Sequence, residues 1–491
     1  MHRDRSLARG LRRILLPVAI AAVASIGAAG PAAAQSPDLL RRLNDPWARV
    51  ADARKSSTRI FTAYLDMTKP PVEVGESFNQ NTIYAGMEDF EAVARWAEAN
   101  SSMGKTLLEV QDCLVLGVPY GTDGIDARFV ERGLAAEIVA EGDVLAVRLP
   151  YLKAFESINA YVAADMYRLC EAGRFEEALT LGVAHLKVLR QGVEGTMFDE
   201  KQTFMRMLCD ALAVHRDVVY TYMQKMGADL LRRFATREYP YLKPSDNERL
   251  KRIAMPEGDL LVGGEVIRGV FGSDGQPDLE KFARVFADIQ ADDAPLTAFG
   301  ASKRWSKIAG VHGSLEASEK KLTDVYDDWW RRWRMRPYDP LFALPTELSR
   351  TNPVRYAAVL LVARDIESLF ELRRRLTVEW CGTVVGTGLA AYRMQLGVWP
   401  DKIEKAYTQF FPRRFDFDPY DRELGRLQYT FLGTRKRGVE SEFGRVEATG
   451  CLLYARNGDN VENGASRHAP GGNSDDFVVW PPLRAISRGA E

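Results

Sequence analysis

The amino-acid sequence predicts an α+β protein, with a mostly helical body over residues 35–350 and a C-terminal domain over residues 351–491. Apolar residues recur at helical spacing through most of the first 350 positions. After Gly397 they fall instead into short runs such as 451–455 and 477–480, which are typical of strands. Pro337, Pro340 and Pro345 interrupt the helical pattern between the two regions, so we place the boundary there.

The first 34 residues have the pattern of a signal peptide. A basic segment with five arginines precedes an uncharged, alanine-rich stretch over residues 14–30, and Ala32, Ala33 and Ala34 form a small-residue cleavage site. This order predicts export to the periplasm or the extracellular space and removal of residues 1–34. An uncleaved anchor helix is the alternative. No later segment has the roughly 18 uncharged apolar residues of a membrane span, so none is expected in the exported chain.

Composition narrows the classes of function. The chain has 491 residues, with 66 Lys and Arg against 67 Asp and Glu. Loss of the arginine-rich leader makes the remainder more acidic, which argues against a nucleic-acid partner because that function needs a basic face. The five cysteines lack any C-x-x-C spacing and are expected to be buried free thiols, with a bridge between Cys170 and Cys209 as the alternative.

The helical body is predicted to include one β-hairpin and one helix pair. Residues 87–100 form a clear amphipathic helix, and residues 136–139 and 144–147 flank a turn that predicts a hairpin. Residues 157–191 predict two antiparallel helices around Gly173, a pattern that resembles a single tetratricopeptide unit without a second copy at a fixed period.

Three long helices are predicted to follow, over residues 197–234, 315–336 and 354–396. The last of them carries Gly382, Gly386 and Gly388, where another element is expected to pack closely.

Several motifs are better explained by structure than by chemistry. Gly104 and Lys105 lack the earlier glycine of a phosphate-binding loop, and they follow a helix rather than a strand. His185 and His215 belong to no metal or nucleophile motif and are expected to pack inside helices. The cluster from Trp329 to Trp333 is expected to pack in the core, with stacking on a sugar or a partner as the alternative.

The candidate site is a glycine-rich loop near the C-terminus. Asp459 follows a strand-like run, and Asp475 and Asp476 directly precede the next one. Carboxylate oxygens are the ligands that Ca²⁺ prefers, and millimolar calcium outside the cytoplasm fills even a weak site. The sequence therefore predicts a structural Ca²⁺ held by Asp459, Asp475 and Asp476. An ordinary solvated turn is the alternative, because these residue types dominate turns.

A series of motifs over residues 389–480 has a recognisable order. The motifs are Tyr392, Gly397-Val398-Trp399-Pro400, Asp418-Pro419-Tyr420-Asp421, Gln428-Tyr429-Thr430-Phe431, Leu453-Tyr454, Gly458-Asp459-Asn460 and Asp475-Asp476-Phe477. Their order resembles the periplasmic domain of the major pseudopilin of the type II secretion system. The resemblance implies a long helix followed by a small antiparallel sheet with a calcium loop.

The chain departs from a pseudopilin at the long helix. The helix lies inside the chain and carries charged residues such as Glu371 and Arg374, so it cannot lie in a membrane. The whole chain also resembles a group of large exported bacterial proteins that are common in planctomycetes.

The function expected from these features is that of an exported, non-catalytic protein of the envelope or the extracellular space. Its helical body would bind protein partners, and its pseudopilin-like tail would be stabilised by calcium. One alternative is a secreted hydrolase that acts on polysaccharide or peptide through paired carboxylates. Another is an accessory protein of type II secretion, which the missing prepilin signal disfavours.

Overall fold

A computed structural model describes residues 37–141, 144–239, 253–290, 295–335, 339–423, 425–458, 460–465 and 476–489. The predicted signal peptide at residues 1–34 lies outside the described residues. The body is mostly helical, and a small antiparallel three-stranded sheet lies near the C-terminus. The predicted fold class, α+β, is therefore confirmed.

The helices and strands have the following bounds. The α-helices are α1 (Pro37–Ala48), α2 (Ser57–Leu65), α3 (Phe90–Ala99), α4 (Ser101–Val110), α5 (Ala127–Glu131), α6 (Leu152–Glu171), α7 (Phe175–Gly192), α8 (Phe198–Met226), α9 (Ala228–Arg233), α10 (Gly258–Gly269), α11 (Leu279–Gln290), α12 (Pro295–Ala309), α13 (Leu315–Arg334), α14 (Glu347–Arg350), α15 (Ala357–Val362), α16 (Glu367–Leu396) and α17 (Leu483–Ser487). The strands are β1 (Glu137–Glu141), β2 (Val144–Arg148), β3 (Gln428–Ser441), β4 (Gly444–Ala455) and β5 (Phe477–Trp480). Short 3₁₀ segments lie at Asp52–Arg54, Pro340–Ala343, Ile403–Ala406 and Arg413–Phe415, and a π-helical turn lies at Phe234–Glu238.

Helices α6, α7 and α8 form the centre of the body. The antiparallel pair α6 and α7 turns at Gly173, whose positive φ of 74° is a conformation that glycine adopts without strain. Helix α8 packs across both members of the pair. Strands β1 and β2 form the hairpin, with Val139 opposite Ala146, and Gly142 and Asp143 of its turn lie outside the described residues.

The helix predicted over residues 354–396 is wrong as a single element. The structure has α15 and α16 in its place, separated at residues 363–366. Ala363 leaves the helical conformation, with ψ at 120°, and the side chain of Asp365 accepts the backbone N–H of Glu367 at 3.0 Å. A side-chain acceptor of this kind satisfies one of the free N–H groups at a helix start, so α16 begins anew at that point.

The long helix predicted over residues 197–234 is also interrupted. Helix α8 ends at Met226, where Gly227 has a φ of 77°, and α9 begins at the next residue. Glycine is the residue type that reaches this conformation without a steric penalty, so the helix ends where the sequence supplies it.

Helix α16 lies between the body and the three-stranded sheet. It packs along α8 on one side and contacts β4 and β5 on another. A Cβ atom at Gly382 would lie 2.7 Å from Val479, and one at Gly386 would lie 2.6 Å from Trp480. The close packing expected at these glycines is therefore confirmed, because any larger side chain would overlap the strand.

The three-stranded sheet is antiparallel, with β4 between β3 and β5. Trp480 of the sheet and Val384 of α16 belong to a continuous apolar core that also includes Phe155 and Leu208 of the body. None of the helices in the described part of the chain combines the length and apolarity needed to cross a membrane.

The smaller motifs have structural roles in the described residues. Gly104 lies inside α4 and donates its N–H to the Tyr161 hydroxyl at 3.1 Å, so it does not belong to a phosphate-binding loop. Trp329 and Trp333 are buried and contact the Phe370 ring on α16. All five cysteines are buried and free, so the alternative bridge between Cys170 and Cys209 is absent from this structure.

Candidate functional site

Asp476 is the predicted calcium ligand that the structure describes. It directly precedes β5 and is fully buried. Its Oδ2 atom accepts the backbone N–H groups of Asn463 and Ala465, each at 2.8 Å. Asp459 and Asp475 lie outside the described residues, so their positions relative to Asp476 stay a prediction.

The sheet brings the two ends of the loop together. Ala455, the last residue of β4, pairs with Phe477, the first residue of β5. The chain therefore leaves and re-enters the sheet side by side, and Asp476 stands at the point of return. From there its carboxylate holds residues 463–465, which belong to the outgoing half of the loop.

The outgoing half of the loop has an unusual backbone. Asn460 and Ala465 have positive φ angles of 61° and 64°. A residue with a Cβ atom pays a free-energy penalty of about 1 kcal/mol in this conformation. The Asp476 carboxylate binds the Ala465 N–H, and the Asn460 side chain accepts the N–H of Arg422 at 3.0 Å, so both strained residues are held by hydrogen bonds.

The segment that begins at Asp418 lies against the same loop. Asp418 is fully buried, with Oδ1 accepting the N–H of Tyr420 and Oδ2 accepting the N–H of Arg456, each at 2.8 Å. The Arg456 guanidinium lies 3.4 Å from the Asp421 carboxylate. Two motifs that are 38 residues apart in the chain therefore meet at the start of the loop.

Burial raises the pKa of Asp418 to about 7. The two backbone N–H groups oppose this rise in the pKa, whereas the negative charge of Asp421 adds to it. The Asp418 carboxyl group therefore changes its charge near neutral pH, next to the strand end from which the loop departs.

Oxygen donors at this loop fit a hard cation such as Ca²⁺ better than zinc. Within the described residues, no three His, Cys, Asp or Glu side chains come together in an arrangement that could hold a metal ion. Two of the three predicted ligands lie outside those residues, so the calcium site stays a prediction.

A second group of buried charges joins α8 to α16, and we did not predict it. Arg216 of α8 donates through Nη1 to the Glu379 carbonyl at 3.0 Å and to the Thr383 hydroxyl at 2.8 Å. Its Nη2 donates to the Glu379 carboxylate. Arg216 follows the buried His215 and precedes the buried Asp217, between apolar buried positions such as Val214 and Val218. A charged residue among buried positions is the signal that points to a buried partner.

The C-terminal helix α17 adds to this group. Arg484 lies 2.5 Å from the carboxylate of Asp217, the residue that follows Arg216, and also binds the Asn81 side chain at 2.6 Å. Arg488 stacks its guanidinium over the Tyr84 ring at 4.4 Å. These contacts hold the end of the chain against α8 and against the segment before α3.

The body buries other titratable groups within its core. Glu200 accepts hydrogen bonds from the hydroxyls of Tyr120, at 2.6 Å, and Tyr151, and burial raises the pKa of its carboxyl group. Burial lowers the pKa of His185 to about 3 and that of His215 to about 4, so both rings are neutral at physiological pH. The expectation that these histidines pack inside helices is confirmed.

The fold and the site define an α+β protein in which buried aspartates close a loop at the edge of a C-terminal antiparallel sheet. Searches with this chain against family models, curated proteins and solved structures found no match.

Proposed function

We propose that the chain is an exported, non-catalytic protein of the envelope or the extracellular space, with a pseudopilin-like C-terminal region that a bound Ca²⁺ stabilises. The placement of Asp476 carries this proposal. It is a fully buried carboxylate at the return of a loop whose two ends pair at Ala455 and Phe477. Asp475 is adjacent in the sequence, and Asp459 lies four residues beyond Ala455.

Calcium acts in this proposal as a structural ligand rather than as a reagent. A cation that binds the folded loop and not the unfolded chain stabilises the fold by mass action. If the folded loop brings its carboxylates together as this proposal requires, they repel one another without a cation, and binding of the cation removes that repulsion.

The helical body is proposed to bind a protein partner. Leu341 and Leu344, in the segment that leads from α13 to α14, are 43% and 55% exposed. The two leucines lie three positions apart in one exposed segment, and a contiguous apolar patch is typical of a contact surface. The leader pattern at residues 1–34 supports export to a compartment that contains calcium.

The decisive experiment measures the melting temperature of the chain without residues 1–34, in millimolar CaCl₂ and in EGTA. We expect calcium to raise the melting temperature by about 3 °C, the shift that a ligand at a hundred times its dissociation constant produces in a protein of this length. Asp459→Asn and Asp475→Asn should each reduce that rise, because they remove a charged ligand.

Asp401→Asn is the matched control, since Asp401 is exposed and pairs with Lys405 away from the loop. This variant should keep the full response to calcium. A melting temperature that is the same in CaCl₂ and EGTA would rule out the calcium site, and so would an undiminished response in both loop variants.

A further inference from the structure

A surface cleft of about 320 Å³ lies between the first turns of α2 and the segment from Val118 to Leu134. Its size falls at the lower end of the roughly 300–1,000 Å³ that is typical of small-molecule sites. The buried residues Phe61, Val118, Phe129 and Leu134 contribute its apolar floor. None of the motifs considered above includes this cleft.

The floor of the cleft is suited to a flat or branched apolar group. The rings of Phe61 and Phe129 meet edge to face, with their centroids 5.8 Å apart and their planes at 74°. The Phe61 ring also contacts the buried Tyr151 ring, with the two centroids 6.0 Å apart, which holds Phe61 from the side of the core. A rigid aromatic floor binds an apolar group without losing side-chain freedom of its own.

The rim carries one full charge of each sign. The Arg128 Nη2 atom lies 2.7 Å from Asp126 Oδ2, and the two side chains are 69% and 38% exposed. Asp126 also accepts the backbone N–H of Arg128 at 2.9 Å, which caps the start of α5 and fixes the position of the carboxylate. Hydrogen bonding from Arg128 lowers the pKa of Asp126, so both charges persist at neutral pH.

The two opposite charges on the rim determine which ligand charges the cleft favours. A ligand with one charge is attracted by one member of the pair and repelled by the other, whereas a ligand that carries both charges complements each. The Arg128 guanidinium donates to Asp126 through Nε and Nη2. A guanidinium has five N–H donors in total, so others can bind a ligand carboxylate.

Acceptors for a ligand ammonium group are also present on the rim. The Thr62 hydroxyl lines the cleft and donates its proton to the Thr58 carbonyl at 2.8 Å. Its oxygen lone pairs therefore point away from that bond and can accept from an ammonium group, which has donors alone. A carboxylate would instead face an oxygen whose single proton is already used.

We propose that this cleft binds a small zwitterion with an apolar side chain, which is the chemistry of a free aromatic or branched α-amino acid. The apolar side chain lies on Phe61 and Phe129, the carboxylate binds Arg128, and the ammonium group binds Asp126 and the Thr62 hydroxyl.

Isothermal titration calorimetry of the chain without residues 1–34 tests the proposal, with L-phenylalanine as the probe. A ligand of about a dozen non-hydrogen atoms is expected to bind in the low-millimolar range or tighter. Phenethylamine lacks the carboxylate and 3-phenylpropionate lacks the ammonium group, so each should bind about tenfold more weakly or worse.

Two variants and one control test which rim side chains bind the charged groups of the ligand. Arg128→Gln and Asp126→Asn should each weaken the binding of L-phenylalanine by about tenfold. Asparagine is as good a helix cap as aspartate, so the second variant preserves α5. Arg132→Gln is the matched control, because Arg132 is an exposed arginine at the end of α5 that does not line the cleft.

The analogue series uses the unaltered protein, so it decides the question even where a variant folds poorly. Absence of saturable binding of L-phenylalanine up to about 10 mM would overturn the proposal. Equal binding of the zwitterion and both singly charged analogues would also overturn it, because the rim charges would then play no part.

Discussion

Two groups of buried charges in this protein are stabilised in different ways. In the first, the helix cluster, Arg216 binds Glu379 and Arg484 binds Asp217, so each charge meets an opposite one. In the second, the loop cluster, Asp418 and Asp476 bind mainly backbone N–H groups. A full opposite charge compensates the burial of an ion, whereas amide dipoles compensate it partly, and the pKa of Asp418 accordingly rises to about 7.

The two clusters also differ in the distance along the chain that they span. The bonds of Arg216 to Glu379 join residues 163 positions apart, and that of Arg484 to Asp217 joins residues 267 positions apart. The hydrogen bonds of Asp476 join it to residues 13 and 11 positions earlier in the chain. The helix cluster therefore holds the C-terminal region on the body, whereas the loop cluster shapes one loop and the strand that follows it.

The largest effect on stability is expected at Glu379. Glu379→Gln leaves the buried Arg216 guanidinium without its counter-charge, which should lower the free energy of unfolding by about 3–5 kcal/mol in a denaturant titration. Asp45→Asn breaks an ion pair with Arg49 in which the Arg49 side chain is 80% exposed and the Asp45 side chain 57% exposed. This variant should change the free energy of unfolding by less than about 1 kcal/mol. Equal effects in the two variants would mean that the Arg216–Glu379 pair does not hold the helices together.

A smaller effect is expected at Asp476. In EGTA, Asp476→Ala leaves the buried N–H of Ala465 and that of Asn463 without an acceptor, which should lower the free energy of unfolding by about 1–3 kcal/mol. The control is Asp401→Ala at an exposed position, which should have an effect within about 0.5 kcal/mol. If Asp476→Ala lowered the free energy of unfolding more than Glu379→Gln does, the loop cluster would contribute more to stability than the helix cluster, contrary to this prediction.

The last effect is a dependence on pH that belongs to the loop cluster, and it is the smallest of the three when it is compared over a single pH unit. The pKa of Asp418 in the folded state is about 7 and lies above the ordinary value of 3.8, so the folded state retains a proton that the unfolded state has lost. Between these two pKa values this carboxyl group should reduce stability as the pH rises, by up to about 1.4 kcal/mol per pH unit. The contribution is absent below about pH 4, where both states are protonated.

Asp418→Asn removes this ionisable group and tests the assignment. Denaturant titrations from pH 4 to pH 8 should show a steeper fall in stability for the unaltered protein than for the variant. Asp401→Asn should retain the slope of the unaltered protein. Parallel curves for the unaltered protein and Asp418→Asn would show that Asp418 ionises normally in the folded state.

Local features of the chain were predictable from the sequence because they depend on neighbouring residues. Helical spacing predicted the pair α6 and α7, alternation predicted the β-hairpin, and glycines on successive turns predicted close packing on α16. That β5 is the partner was not predicted. The break at residues 363–366 was missed, because apolar periodicity continues across it and Asp365 accepts only one hydrogen bond there, from the N–H of Glu367.

The contacts between distant residues could not be predicted in the same way. Arg216 and Glu379 each have the sequence surroundings of a helix, and nothing in their spacing pairs one with the other. The cleft floor similarly combines Phe61 of α2 with Phe129 of α5, which belong to different local patterns.

The sequence by itself determined the α+β class, the central helix pair, the β-hairpin, and the position of an aspartate at the return of the C-terminal loop. These properties follow from periodicity, turn residues and short motifs, whose physical causes act over a few residues. Tertiary structure alone decided which buried charges meet, that Asp418 holds the backbone of Arg456, and that two phenylalanines form a cleft floor. Those outcomes depend on how helices and strands pack, because burial and charge pairing act between atoms that are close in space rather than in sequence.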